Sequence, residues 1–237
     1  MANSIREQII LAVISKLADI RTSAGYQTDC GANVQRVRKM FDPDDLPAIS
    51  VWPKPEESEN KYGAQFNTMP MQVEALVKHG TTNPSVISEK LLPDLIECIL
   101  GVEWTVSFTS GGVYEIEVGD TITGGTSSAT GYVSGVTLAS GAWADGDAAG
   151  TLTIRRLSGT FQAENLDVGA ETNVSTIAAA PTGTGPITTT TNDLAERIMY
   201  ESGGTSEYPD AGEQVTGVHA VFNIQYRTVA GNPYAQE

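Results

Sequence analysis

GVHAVFNIQYRT, Gly217–Thr228, is the stretch on which the fold turns. In an extended chain Val218, Ala220, Phe222, Ile224 and Tyr226 share one face, and His219, Asn223, Gln225 and Arg227 share the other, with Val221 the exception. That alternation predicts a half-buried strand. Each apolar group contributes roughly 1.5–3 kcal/mol when fully buried, so five on one face make this strand a central member of a sheet. The chain before it must then supply a cover.

Helical cover is predicted twice. Ser4 and Glu7 have the capping-box spacing, and Ile5, Ile9, Ile10, Val13, Leu17 and Ile20 recur at helical intervals up to a stop at Gly25. Asn83 before Pro84 opens a second helix, with a stripe of Val86, Leu91, Leu92, Leu95, Ile96, Ile99 and Leu100 ending at Gly101. Pro93 is expected to kink or split it. Between the two, residues 34–40, 48–52 and 68–78 read as strands, with Pro70 placing the start of the third at an edge or outside the ladder.

From Glu103 to Thr191 the composition shifts to Gly, Thr, Ser and Ala. Short alternating runs (TVSF, YEIEV, GYVSGVTL, TLTI) between GG, SG and DG turns predict a small all-β domain, sandwich- or barrel-like. Its end, AAAPTGTGPITTTTND, reads as a return linker. Residues 194–202 fit a strand or a short helix. The turn-rich SGGTSEYPDAGE then leads into the opening strand, as a hairpin would. The layout is α+β: a mainly antiparallel sheet with helices packed on one face, formed by 1–102 and 192–237 and interrupted by an inserted all-β domain, 103–191.

Fourteen Lys+Arg against 29 Asp+Glu give a net charge of −15, which argues against a nucleic-acid clamp or a binder of anionic membranes while permitting a surface that DNA slides past. Within 103–191, nine acids face two arginines, so neither part is basic. The run IILAVI is interrupted by Lys16 and Asp19 and does not read as a secretory signal, and nothing approaches the roughly 18 apolar residues of a membrane span. Cys30 and Cys98 lack CxxC spacing and read as reduced, Cys98 in a helix core.

The residues give no catalytic constellation, cofactor motif or metal set. His79 and His219 have no ligand partner at i+3 or i+4. GYVSG displaces the serine from a nucleophile elbow, and GGTSSATG lacks the lysine of a phosphate loop. Asp145-Gly-Asp147 reads as a tight turn, and Asp42, Asp44 and Asp45 as a solvated loop. The residues picked out for contact with other chains are Trp52, Glu56, Glu57, Glu59, Arg227 and Tyr234. Trp52, beside Pro53, reads as core ahead of subunit contact, the glutamates lie in a charged loop between strands, and Tyr234 lies close to the chain end.

IREQIILAVISKLADI, PAISVWPKPEE, MPMQVEALVK, LLPDLIECIL and GVHAVFNIQYRTVAGNPY, taken in order, resemble the tail terminator proteins of long-tailed bacteriophages, the minor tail protein U type. GDTITGGTSSATGYVSGV and the stretch after it resemble a small β module of tailed-phage structural proteins. The first resemblance implies a virion protein at the head-proximal end of the tail, made in the host bacterial cytoplasm. It implies a homo-oligomeric ring, a hexamer, that sits on the tail tube protein, ends tube polymerisation and meets a head-tail connector. It implies no covalent chemistry and no cofactor. Six copies at −15 each carry −90, so DNA would pass the lumen without specific binding. The inserted domain departs from the compact members of that family. The readings kept beside this one are a decoration module whose β domain recognises a saccharide or host surface, and a head-side neck or connector protein.

Overall fold

The computed structural model describes residues 3–39, 41–78, 83–112, 114–207 and 215–237. In chain order the elements are α1 (Ile5–Leu17), β1 (Val34–Arg36), β2 (Ala48–Pro53), β3 (Glu57–Lys61), β4 (Ala64–Lys78), α2 (Pro84–Leu100), β5 (Glu103–Gly111), β6 (Thr121–Gly124), β7 (Thr130–Ser140), β8 (Ala148–Ser158), β9 (Glu164–Val168), β10 (Glu171–Ile177), β11 (Thr182–Thr184), α3 (Pro186–Thr191), β12 (Arg197–Glu207) and β13 (Val215–Val229). They form two compact units. The first comprises 1–22, 26–100 and 186–237, and the second comprises 101–185 with Ser23–Gly25.

The first unit is an α+β layer pair. Its sheet runs β1-β2-β4-β13-β12, with β3 on the β2 side of β4, and every pairing is antiparallel except β1 with β2. The 15-residue strands β4 and β13 pair along their whole length, from Val215↔Lys78 to Val229↔Ala64. Val218, Ala220, Phe222, Ile224 and Tyr226 are at most 3% exposed and meet Met69, Met71, Val73 and Ala75 of β4 in one buried layer. Ile5, Ile9, Ile10, Val13 and Leu17 of α1 and Leu91, Leu95, Cys98 and Ile99 of α2 complete it. Ser88 of α2 meets Thr216 of β13 hydroxyl to hydroxyl at 3.3 Å, so the polar groups of this layer also find partners.

Local chemistry explains where the elements depart from the sequence reading. Half of the capping box forms: Ser4 Oγ accepts from Glu7 N, but the Glu7 carboxylate takes a bidentate bond from Arg36. The helix stops at Leu17 rather than near Gly25. Pro70 is not at an edge; it sits mid-strand in β4. Its carbonyl accepts from Lys54 N, so its missing N–H points to the gap between β2, which ends opposite Met71, and β3, which begins opposite Thr68. Helix α2 runs unbroken through Pro93, which lies on the solvent side where a lost backbone bond costs least. The first predicted strand shortens to three residues, and Met40 lies outside the described residues. Residues 197–207 are strand, not helix, so the SGGTSE part of the expected turn belongs to β12, and the remainder of that expected turn falls outside the described residues.

The supposed return linker is ordered. Thr182–Thr184 pairs with β5, and Pro186–Thr191 is α3, which belongs to the first unit. Thr190 and Thr191 are buried because their hydroxyls bond backbone carbonyls, Ile99 O at 3.0 Å and Ile187 O at 2.7 Å. The inserted part therefore ends at Gly185 rather than at Thr191.

The second unit is a closed antiparallel barrel. Strand order β10-β9-β6-β7-β8-β5 is joined end to end by a β10–β5 pairing, with β11 added beside β5. Phe108, Ile122, Val133, Leu152, Ile154, Phe161 and Leu166 fill the interior, and Phe108 stacks on Trp143 at 5.1 Å. Closure removes the exposed edges that so short a set of strands would otherwise present. Glu103 of the entering strand is opposite Thr184 of the leaving one, so the barrel begins and ends at one place. Arg155 donates to the Ala24 carbonyl of the short segment that groups with this unit.

Candidate interaction surface

The contact residues read from sequence divide into four sets. Glu56 is committed inside its own chain: its Oε2 accepts from Tyr226 OH at 2.6 Å and from Arg6 Nε at 3.1 Å, while Arg6 Nη2 donates to Lys54 O. Burial, reinforced by the bond to the Glu56 carboxylate and its charge, pushes the Tyr226 hydroxyl far above the ordinary tyrosine range against the opposing pull of Arg6. This triad pins α1 and the 54–56 bend to the end of β13. Both bonds fall on Oε2, so this oxygen of Glu56 is engaged within its own chain while the side chain keeps partial exposure.

Glu57 and Glu59 lie on β3, all five residues of which are exposed, and Glu59 pairs with Lys61 at 2.6 Å. They rim a groove of about 390 Å³ with Ser58, Phe66, Glu196 and Gln225. Arg227 lies beside it with its guanidinium 4.5 Å from the Phe66 ring centroid and ion-paired to Glu196, an arrangement that holds the cation flat against the sheet. Trp52 sits farther along the face opposite the helices, in register with Gln72. It is half-buried with Lys54 over its ring, and its indole N–H is buried without a hydrogen-bond partner among the described residues.

Tyr234 is 59% exposed, but its backbone is held by the chain's own fold. Pro233 O accepts from Ile5 N at the start of α1, Ala235 O accepts from Val229 N, and Gln236 Nε2 donates to Asp193 O. The terminal segment thus caps a helix whose first amides need acceptors. The structure brings Glu57, Glu59 and Arg227 to one end of the sheet and keeps Trp52 apart.

Sequence reasoning missed Tyr62, Asp94 and Glu164. Tyr62 and Gly63 form the two-residue turn between β3 and β4, with φ of +53° and +87°. The signal was there in a Gly between two alternating runs, masked by a Tyr where Asn is usual. Asp94 is fully buried in α2, where its carboxylate accepts from Gln27 N at 3.0 Å and Thr28 Oγ1 at 2.7 Å; burial outweighs these bonds and raises its pKa. The same burial pushes the nearby Cys30 thiol up to about 12, which keeps it protonated and unreactive. In the barrel, the buried Glu164 carboxylate accepts from Thr126 N, Ser127 N, Ser127 Oγ and Gln162 N between 2.6 and 3.1 Å. Burial alone would raise its pKa, but the four bonds together lower it.

Other sequence-noted groups have local structural partners. Ser134 of GYVSG bonds Thr153 O, Asp147 accepts from Ala142 N across the Gly146 turn, and Asp45 takes the Arg38 guanidinium. His219 is half-buried on the face opposite the helices, and His79 lies outside the described residues. Among the described residues no group of three metal-ligating side chains occurs, and no helix is long and apolar enough to cross a membrane.

The barrel's aromatic rings are committed to its own packing. Phe108, Trp143 and Phe161 are interior, Tyr114 bonds Asp120, and Tyr132 lies under Arg156. A groove of about 380 Å³ on the barrel is lined by Thr105, Ser107, Thr151 and Ala178–Ala180 with no ring to stack on a sugar. No protein-family model matches the chain, and no curated protein matches it.

Proposed function

We propose that this protein is a tail terminator: a structural ring of identical subunits, six in number, that caps a bacteriophage tail tube, ends its polymerisation and offers the head-side connector a joining surface. The observation that carries the reading is how the two flanks of the barrel combine. α1, β2, β4 and α2 precede the insertion, β12 and β13 follow it, and β13 returns to pair with β4 over 15 residues. That is the element order on which the resemblance to tail terminators rests, completed as a single sheet. The net charge of −15 supports a lumen that lets DNA pass without retaining it, because phosphates meet few uncompensated cations. The barrel enters and leaves the chain at one point, Glu103 opposite Thr184, so it decorates this core without interrupting the sheet. In this reading the protein performs no covalent chemistry.

The test is electron microscopy of the purified protein mixed with tail tubes whose polymerisation is incomplete. Six-fold density at tube ends, with elongation stopped, is the expected result. Tubes that elongate unchanged, with no added density at either end, would refute the proposal.

A further inference from the structure

Among the described residues Tyr62 is the most exposed large apolar side chain, 101% exposed at the tip of the β3–β4 hairpin. The hairpin is anchored rather than loose: Lys61 pairs with Ala64 across the turn, and Gly63 O accepts from Ala230 N at 2.9 Å. With φ of +53°, Tyr62 occupies the left-handed region that a two-residue turn demands at both central positions. Asn or Gly fills that position with least strain, and a bulky side chain there is unfavourable. A rigid turn thus carries a fully solvated aromatic ring at a conformational cost that nothing in the subunit repays.

An open groove lies elsewhere on the same unit. It measures about 430 Å³ and is lined by Gln8, Leu11, Ala12, Ser15, Asn192 and Leu194, with Leu11 of α1 45% exposed at its surface. Its lining includes no ionisable side chain, and neither Tyr62 nor Gly63 is charged. In a chain of net charge −15, contact between copies is least opposed where both surfaces are neutral. The groove offers an apolar wall for a phenol ring and amide and hydroxyl groups for its OH.

We infer that Tyr62 of one copy docks in the Leu11 groove of the next. The inference rests on the reading that copies of this chain assemble. Projection and groove are different surfaces, so the contact is head-to-tail, the kind that closes into a ring when the rotation permits.

Two single variants of the full-length chain test it, with mass measured by analytical ultracentrifugation over a concentration series. Tyr62→Asn places the preferred residue in the turn, so it raises the melting temperature by about 2–4 °C while weakening self-association at least tenfold. Leu11→Glu puts a charge in the groove at an exposed position and has the same effect on association. An equimolar mixture of the two variants retains one intact contact per pair, and gives dimers with nothing larger. Wild-type protein that stays monomeric at every concentration, a Tyr62→Asn protein that assembles like wild type, or a mixture that assembles fully would each overturn the inference. Assemblies that depend on Tyr62 but never cap tail tubes would leave this contact standing and remove the terminator reading. Tube capping unaffected by either variant would do the reverse.

Discussion

Replacing Glu164 with Gln tests whether one carboxylate holds the barrel's Gly124–Ser128 turn. Glu164 Oε2 accepts the backbone N–H groups of Thr126 and Ser127, and Oε1 accepts the Ser127 hydroxyl and Gln162 N–H. Glutamine keeps one carbonyl oxygen, best placed toward the two backbone donors. Its amide NH2 then faces the Ser127 hydroxyl, which can turn to accept, and the Gln162 N–H, which loses its acceptor. The loss is the acceptor of the part-buried Gln162 N–H plus the charge assistance of the remaining bonds, about 2–4 kcal/mol. The expected fall in the barrel's melting temperature is about 10–20 °C. The pH dependence is diagnostic. Because the native pKa lies below its ordinary value of 4.5, ionised Glu164 contributes its full stabilisation above pH 4.5 and loses it as pH falls through the lowered native value. Calorimetry of the whole chain should show a wide gap between wild type and Glu164→Gln at pH 7 that narrows as the pH falls below 4.5 through the lowered native value. A gap below about 1 kcal/mol at pH 7, or one that stays constant with pH, would refute the reasoning.

Asp94 should behave in the opposite sense. Its native pKa is raised from 3.8, so any stabilisation from the protonated group is complete below the ordinary value and disappears as pH rises through the raised one. Asp94→Asn should therefore cost less than about 1 kcal/mol at pH 7, and wild type should gain on it as pH falls toward 4 in urea unfolding; a variant that loses most at neutral pH would contradict this. Deleting residues 231–237 removes the Pro233, Ala235 and Gln236 bonds and leaves Ile5 N without an acceptor. It should destabilise the first unit by about 1–3 kcal/mol, visible as a lower urea midpoint, whereas a terminus that served only contacts with other chains would leave the midpoint unchanged.

Much of this fold is legible along the chain because period and burial are local properties. Five residues at alternating positions from Val218 to Tyr226 had to share a buried face, and the stripe from Ile5 to Leu17 had to cover it, whatever else the chain did. The change of composition after residue 102 likewise marked a second, all-β body. What depended on neighbours was not legible. Pro70 breaks a strand by the rules of a single chain, and only the register of β2 and β3 on β4 shows that its missing N–H meets a gap between strands. A threonine run reads as solvated linker until Ile99 O and Ile187 O supply acceptors that let its hydroxyls be buried.

The surface residues show the same division. Charge and exposure marked Glu56, Glu57 and Glu59 as equivalent, but Tyr226, 170 residues away in sequence, bonds Glu56 and leaves it half-buried while β3 keeps the other two exposed. Tyr234 was recognisable as an exposed ring near the chain end, but not as part of a segment that caps α1. Sequence by itself determined the strongly periodic helices and strands, the change to an all-β second body and the acidic balance, because these follow from side-chain pattern and composition; β3, β11 and α3 it read as loop or linker. Tertiary structure alone decided barrel closure, the place of each carboxylate and the exposure of Tyr62, because hydrogen-bond satisfaction and burial depend on which distant residues the fold brings within about 3 Å.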